Sequence, residues 1–356
     1  MKQFIFNLQI LARTFKCNLP AISLHQAVTV HVSHRESTRP FVINLEVMET
    51  IGCGTAIVTP FRANGSVDEP ALWSLVNWQI ESGIDFLVAC GSTGEAATLE
   101  EDEWLNTVRI VVEAASGRVP VWGGCTHNCT KTLVRQANLL KRVNGLSAVL
   151  SANPYYNKPG QEGQYQHFLA LARTVDPLPV CVYNVPGRTA ANLEPETVAR
   201  LAASARNIQA IKEASGKLTQ FAELAHIMPR GFKIFSGDDN LALGAIAVGA
   251  HGLISVASNE IPAEVTRMIR AALNNNWTEA RELERRFAQL FEANFWESNP
   301  APVKTILQFM GRCSDHLRLP LVPPTAATRS RLERLAGELG LLKHAPIPAG
   351  YRSEVF

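Results

Sequence analysis

The chain predicts a (β/α)8 TIM barrel, an α/β fold, with a C-terminal helical extension, and three observations carry that expectation. From residue 52 onward, short apolar runs rich in β-branched residues alternate with amphipathic helical patterns, as the βα units of a parallel sheet require. Eight such runs are each followed by a helical pattern, at repeats of roughly 20–35 residues. A doubly wound open sheet would call for a reversal point and usually a Gly-rich phosphate turn, and no GxGxxG follows the first run.

Taken in order, the first strand is expected over 54–60, followed by a helix near 70–82 that Asp68 can cap. The second strand, 85–90, leads to a helix near 100–116 with Thr98 as a candidate cap. Strands at 119–124, 148–152, 179–185 and 208–214 alternate with helices near 130–143, 163–174, 195–204 and 217–227. The last two strands, 233–237 and 252–257, precede helices near 239–249, with Asn240 as its cap, and near 261–274. Three more helical stretches, near 277–295, 300–311 and 326–339, form a tail of the kind that packs on a barrel or makes subunit contacts. The expected organisation is an N-terminal extension over 1–47, a catalytic barrel over 48–275, a helical region over 276–342 and a short tail over 343–356.

Composition removes several classes of protein. The 356 residues include 34 basic and 32 acidic side chains, a net charge of +2 that gives no basic field, so no nucleic-acid partner is expected. With 46% hydrophobic and 19% charged residues the chain reads as an ordinary globular protein. No apolar stretch reaches membrane length; the nearest, 241–257, is interrupted by Gly244, Gly249, His251 and Ser255. The seven cysteines contain no CxxC, and Cys90, Cys125 and Cys181 lie in strand-like runs, as reduced core thiols of a cytoplasmic protein would. Cys125 and Cys129 could otherwise form a redox or metal pair, but no metal and no cofactor is expected. The first 47 residues carry no acidic side chain before Glu36, while Lys2, Arg13, Lys16 and Arg35 are basic. That segment resembles an organelle transit peptide, or is an extension upstream of a start at Met48.

In a barrel the chemistry sits at the carboxyl ends of the strands. After the second strand, Gly91-Ser92-Thr93-Gly94-Glu95 offers two hydroxyls between two glycines, either an anion nest or an ordinary βα turn. In the sixth strand, alternation puts Ala210, Lys212 and Ala214 on one face and Ile211 and Glu213 on the other. If the first face points inward, Lys212 is desolvated and its pKa falls. Bringing it from about 10.4 to roughly 7–8 costs about 3–5 kcal/mol and yields the neutral amine that a Schiff base needs. The alternative is a strand-end lysine that snorkels to solvent. On the fifth strand Cys181, Tyr183 and Val185 share a face, which places Tyr183 one strand, about 4.8 Å, from the lysine strand. Its phenol can shuttle protons, or be a core tyrosine with a satisfied hydroxyl. Arg188, in the loop beyond, is placed to hold a carboxylate bidentately or is simply solvated, and Tyr155 and Tyr156 end the fourth strand at the same rim.

The motifs GSTGE at 91–95, NPYYNKPGQEG at 153–163, YNVPGRT at 183–189, IKEASG at 211–216, SGDD at 236–239 and HGLISV at 251–256 resemble the pyruvate-dependent Schiff-base aldolase superfamily. Within it the chain is most similar to the dihydrodipicolinate synthase family, over about residues 52–342. The resemblance implies condensation of pyruvate with L-aspartate 4-semialdehyde, in the diaminopimelate route to lysine, by a homotetramer built from two tight dimers. It implies that Lys212 forms the imine, that Tyr183 donates and accepts protons, and that Ser92, Tyr183 and Tyr156 form a relay, Tyr156 reaching in from an adjacent subunit. Thr93 with neighbouring amides would bind the pyruvate carboxylate, the main chain at Ile254 would complete that pocket, and Arg188 would bind the second substrate's carboxylate.

Two departures from the family pattern stand out. Ser92 replaces a usual threonine, and GST loops also occur in sialic-acid and sugar-acid aldolases of the superfamily, whereas GRT with Arg188 speaks for the synthases. At the family's lysine-feedback site Tyr155 and Asn128 match, but Trp104 replaces a frequent histidine and Thr132 a glutamate. Losing that carboxylate implies weak or absent inhibition by lysine.

Overall fold

The computed structural model describes residues 49–342; the expectations for the N-terminal extension and for the tail after 342 lie outside those residues. Eight parallel strands close on themselves in chain order: β1 Gly52–Ala56, β2 Phe86–Ala89, β3 Val121–Gly124, β4 Ala148–Ala152, β5 Val180–Asn184, β6 Ile208–Glu213, β7 Lys233–Ser236 and β8 Gly252–Ser255. Closure runs through Gly54 of β1, which pairs with both Phe86 of β2 and Ile254 of β8. Helices α1 Glu69–Glu81, α2 Glu101–Ala115, α3 Thr130–Leu140, α4 Gln161–Val175, α5 Pro186–Thr189, α6 Pro195–Ser204, α7 Leu218–Ile227, α8 Ala242–Ala247 and α9 Pro262–Leu273 connect or follow the strands. Three further helices complete the described chain: α10 Trp277–Ala293, α11 Ala301–Phe309 and α12 Ala326–Glu338. No described helix is long and apolar enough to cross a membrane.

Two apolar layers follow from the strand alternation. Residues facing out, such as Leu87, Val149, Val182, Ile211 and Leu253, pack against the helices. Those facing in include Phe86, Trp122, Cys181, Tyr183, Ala210, Phe235 and Ile254. Phe86 stacks on Trp122 at 4.4 Å between centroids, and Phe235 meets both rings edge-on at 5.5 Å. Three large rings fit only because small residues oppose them: a Cβ at Gly54 would lie 2.2 Å from the Phe86 ring. This aromatic plug fills the barrel and supports the polar residues at its carboxyl end.

The structure moves some expected boundaries. β1 runs over Gly52–Ala56 instead of 54–60. Glycine's weak strand preference hides its start. At its end, the Val58 amide leaves the ladder to donate to Asn259 Oδ1 at 3.1 Å. Asp68 caps α1 as expected, accepting from the Ala71 amide. Thr98 does not cap α2; Glu100 and Glu103 form a reciprocal capping box instead. Asn240 does not cap α8 either, because a 3-10 turn over Asp239–Leu241 comes first. There the Asp239 carboxylate accepts from Ser255 Oγ and from the amides of Val256 and Ala257, tying β7 to β8. Cys125 is buried and Cys129 exposed, and neither is in a disulfide.

Candidate active site

The carboxyl end of the barrel opens into a cavity of about 830 Å³, and Lys212, Tyr183, Thr93, Ser92, Arg188 and Asp238 all line it. The β5–β6 register sets Tyr183 directly beside Lys212. The lysine Nζ sits 4.4 Å from the phenol ring's centroid, over its face. Lys212 is buried, with Ala210 behind it in the inner core and Ala214 packed against that core. Gly237 leaves the room: a Cβ there would lie 2.9 Å from Lys212 Cε. The snorkelling alternative is thereby set aside. Glu213, facing the other way, is also buried; Asn184 Nδ2, Gln220 Nε2 and the Ser215 amide donate to its carboxylate and hold the ends of the two strands.

Desolvation brings the Lys212 pKa down from 10.5 to about 8, against the opposing pull of Asp238, Cys181 and Asp239, while Arg188 adds to the lowering. Burial has the reverse effect on Tyr183, whose phenol is pushed well above its ordinary value. The pair is thus an amine that deprotonates near neutrality beside a phenol that keeps its proton. A ketone entering the cavity meets a nucleophile and a neutral hydroxyl able to donate and then recover a proton.

The loop after β2 is held by its own backbone. Gly94 and Ala96 donate to the Gly91 carbonyl, and Glu95 donates to that of Ser92. These three amides are therefore spent within the turn, so the nest expected from the paired glycines is smaller than the sequence suggests. Cys90 and Glu95 both adopt left-handed backbone at φ 55 and 52, a conformation costing a non-glycine about 1–2 kcal/mol. Glu95 is anchored there by an ion pair between Lys304 Nζ of α11 and its Oε1 at 2.5 Å, with both side chains fully buried. The other oxygen of Glu95 accepts from the Arg318 amide at 3.2 Å. Arg318 itself forks onto the Glu103 carboxylate at 2.6 and 2.7 Å.

Arg188 lies on α5, a single turn where a loop was expected, and its Nη2 reaches the Asn299 carbonyl at 3.5 Å. Ser92 is exposed at the cavity wall. Two expected residues are not brought into the cavity of the chain. Ile254 is fully buried in the inner core below it, its place on the wall taken by Val256. Tyr156 is 88% exposed, while its neighbour Tyr155 does line the cavity. Sequence reasoning missed Asp238 as the main counter-charge of Lys212, and Glu95, Asn299 and Lys304 as supports of the loop. SGDD and SNPAPVK were visible strings, but no periodicity links residue 304 to residue 95. Among the lysine-site positions, Trp104 is buried and donates its indole N–H to the Gly124 carbonyl at 2.8 Å.

Comparison with known proteins agrees with this fold. Residues 49–339 match the model of the dihydrodipicolinate synthetase family. A 4-hydroxy-tetrahydrodipicolinate synthase of Acidobacterium capsulatum is 58% identical over 301 residues, 85% of this chain and 99% of that protein. One from Koribacter versatilis is 53% identical over 84% of this chain and 99% of its own. Among solved structures, the dihydrodipicolinate synthase of Aquifex aeolicus is similar with a TM-score of 0.80 and 37% identity, over 83% of this chain and all of that one.

Proposed function

The chain belongs to the dihydrodipicolinate synthetase family, and from that premise we propose that Lys212 carries pyruvate as an imine. The activity is that of a lyase of the Schiff-base aldolase type: condensation of pyruvate with L-aspartate 4-semialdehyde to 4-hydroxy-tetrahydrodipicolinate, in the diaminopimelate route to lysine. In this reading neutral Lys212 attacks the pyruvate ketone carbon, and one water leaves as the imine forms. Loss of a methyl proton gives the enamine, whose carbon attacks the semialdehyde and forms the new C–C bond. The aldehyde oxygen takes up a proton and becomes the retained hydroxyl. The substrate's amino group then displaces the lysine amine from the imine carbon, which closes the ring and frees Lys212. Tyr183 supplies and recovers protons at the imine, and Ser92 and Tyr156 connect it to solvent, Tyr156 coming from a neighbouring subunit. Thr93 binds the pyruvate carboxylate, and Arg188 binds the semialdehyde's carboxylate.

The observation that carries this reading is the desolvated lysine over the Tyr183 ring inside the cavity. Exposure of Tyr156 at the surface of its own chain suits a role in a neighbour's site, which requires at least a dimer; the homotetramer of two tight dimers is what the family resemblance implies. Free, buried thiols at Cys53, Cys90, Cys125 and Cys181 suit the cytoplasm, with an organelle as the alternative if the N-terminal segment directs transport. The test is turnover of pyruvate with L-aspartate 4-semialdehyde, coupled to the reductase that consumes the cyclic product, with N-acetylmannosamine and glyceraldehyde as competing aldehydes. Turnover with the semialdehyde alone is expected; condensation only with a sugar aldehyde would overturn the substrate assignment.

A further inference from the structure

The C-terminal region reaches the catalytic loop at a second point besides the Lys304–Glu95 pair. Asn299, just before α11, is 3% exposed and lines the cavity. Its Nδ2 donates to Thr93 Oγ1 at 2.9 Å, and its Oδ1 has no partner among the described residues. Its main-chain carbonyl is the one that Arg188 Nη2 approaches at 3.5 Å.

A threonine hydroxyl has one proton to give and two lone pairs to accept with. An amide N–H can only donate, so one lone pair of Thr93 Oγ1 is committed to Asn299, and the hydroxyl proton must point elsewhere. Left to itself, a buried threonine hydroxyl tends to donate to a nearby backbone carbonyl, as Thr59 Oγ1 does to Gly94. Thr93 spared that fate keeps its proton for an acceptor in the cavity.

From this geometry we propose that Asn299 is a positioning residue for the first substrate: its amide holds Thr93 as a hydrogen-bond donor aimed at the pyruvate carboxylate. This rests on the assignment of Thr93 to that carboxylate. Asn299 acts through Thr93 and touches no reacting atom in this role. Because its contact with Arg188 is made by the main chain, its side chain bears on pyruvate and not on the semialdehyde.

The experiment is a double-mutant cycle of Asn299→Leu with Thr93→Val in the full chain. It measures KM for each substrate and, separately, the pyruvate concentration giving half-maximal inactivation by borohydride, which does not depend on the semialdehyde. Asn299→Leu is expected to raise both pyruvate values about tenfold, the scale of a hydrogen bond to a charged group, and to leave the semialdehyde KM within about twofold. In the Thr93→Val background it should add less than about twofold, because the group it orients is gone. Asn299→Ser, a smaller change, serves if the leucine variant does not fold, with the same expectations. An equal penalty with and without Thr93, or an equal rise for both substrates, would overturn the proposal in favour of a packing role. No change in the pyruvate values with Asn299→Leu would also overturn it. If Thr93→Val alone leaves pyruvate binding unchanged, the assignment of Thr93 itself has failed, which is a distinct result.

Discussion

Replacing Lys212 by methionine should abolish catalysis and at the same time stabilise the fold, by an amount that depends on pH. The side chain is buried against Tyr183, Ala210 and Ala214, and its pKa is brought from 10.5 to about 8, chiefly by desolvation. At 1.36 kcal/mol per unit that displacement is worth about 3 kcal/mol. Its sign follows from proton counting. Between pH 8 and 10.5 the unfolded chain still holds the lysine proton while the folded chain has released it, so stability rises with pH across that window. Below pH 8 both states are protonated and the folded protein bears the whole penalty. Methionine fills a similar volume without a charge. The stability gain over the parent should therefore be up to about 3 kcal/mol at pH 7, less whatever Asp238 loses with its counter-charge, and the difference should shrink by about 3 kcal/mol toward pH 10.5. Urea unfolding of both proteins at matched concentration and several pH values measures it. A difference that stays constant with pH, or widens toward alkaline pH, would refute the claim that Lys212 is desolvated in the free enzyme.

Three other outcomes follow from the same geometry. Replacing Arg188 by alanine should raise the KM for the semialdehyde tenfold or more and leave pyruvate adduct formation intact, since Arg188 lies at the rim and not beside the imine; steady-state kinetics with borohydride trapping separate the two effects. Removing one member of the buried Lys304–Glu95 pair, as in Lys304→Met, should cost about 3–5 kcal/mol by chemical denaturation, because it strands a buried carboxylate; a loss under about 1 kcal/mol would contradict the support role given to that pair. Lysine should inhibit weakly or not at all, because Trp104 is committed to the Gly124 carbonyl and Thr132 brings no carboxylate; a submillimolar inhibition constant would contradict it.

What could be read from the amino-acid order is what strand geometry makes local. A period of two residues placed Lys212 between two alanines and Tyr183 on the matching face, and the register between β5 and β6 then set them side by side. The barrel itself was legible for the same reason, since each βα unit repeats the same short-range pattern. Boundaries were less so, as at Gly52, where a glycine begins a strand, and at Thr98, a hydroxyl residue of the kind that caps helices but caps none here. The supports of the site were not legible, because they join residues far apart in the chain. Glu95 meets Lys304 across 209 positions, and Thr93 meets Asn299 across 206. The connection between α10 and α11, part of what reads as a tail, thus forms one wall of the cavity through Phe295, Ser298 and Asn299. Asp238 likewise showed only as one of two adjacent acids, and it is the turn after β7 that brings it to the wall while Asp239 is buried against β8.

Chemical trapping of the imine tests the role of Lys212 at its root. The protein is incubated with pyruvate, reduced with borohydride, digested and mapped by mass spectrometry. A single reduced pyruvate adduct is expected, located on Lys212, forming faster as pH rises through about 8 and absent from Lys212→Met. An adduct on another lysine, or none with turnover intact, would contradict it.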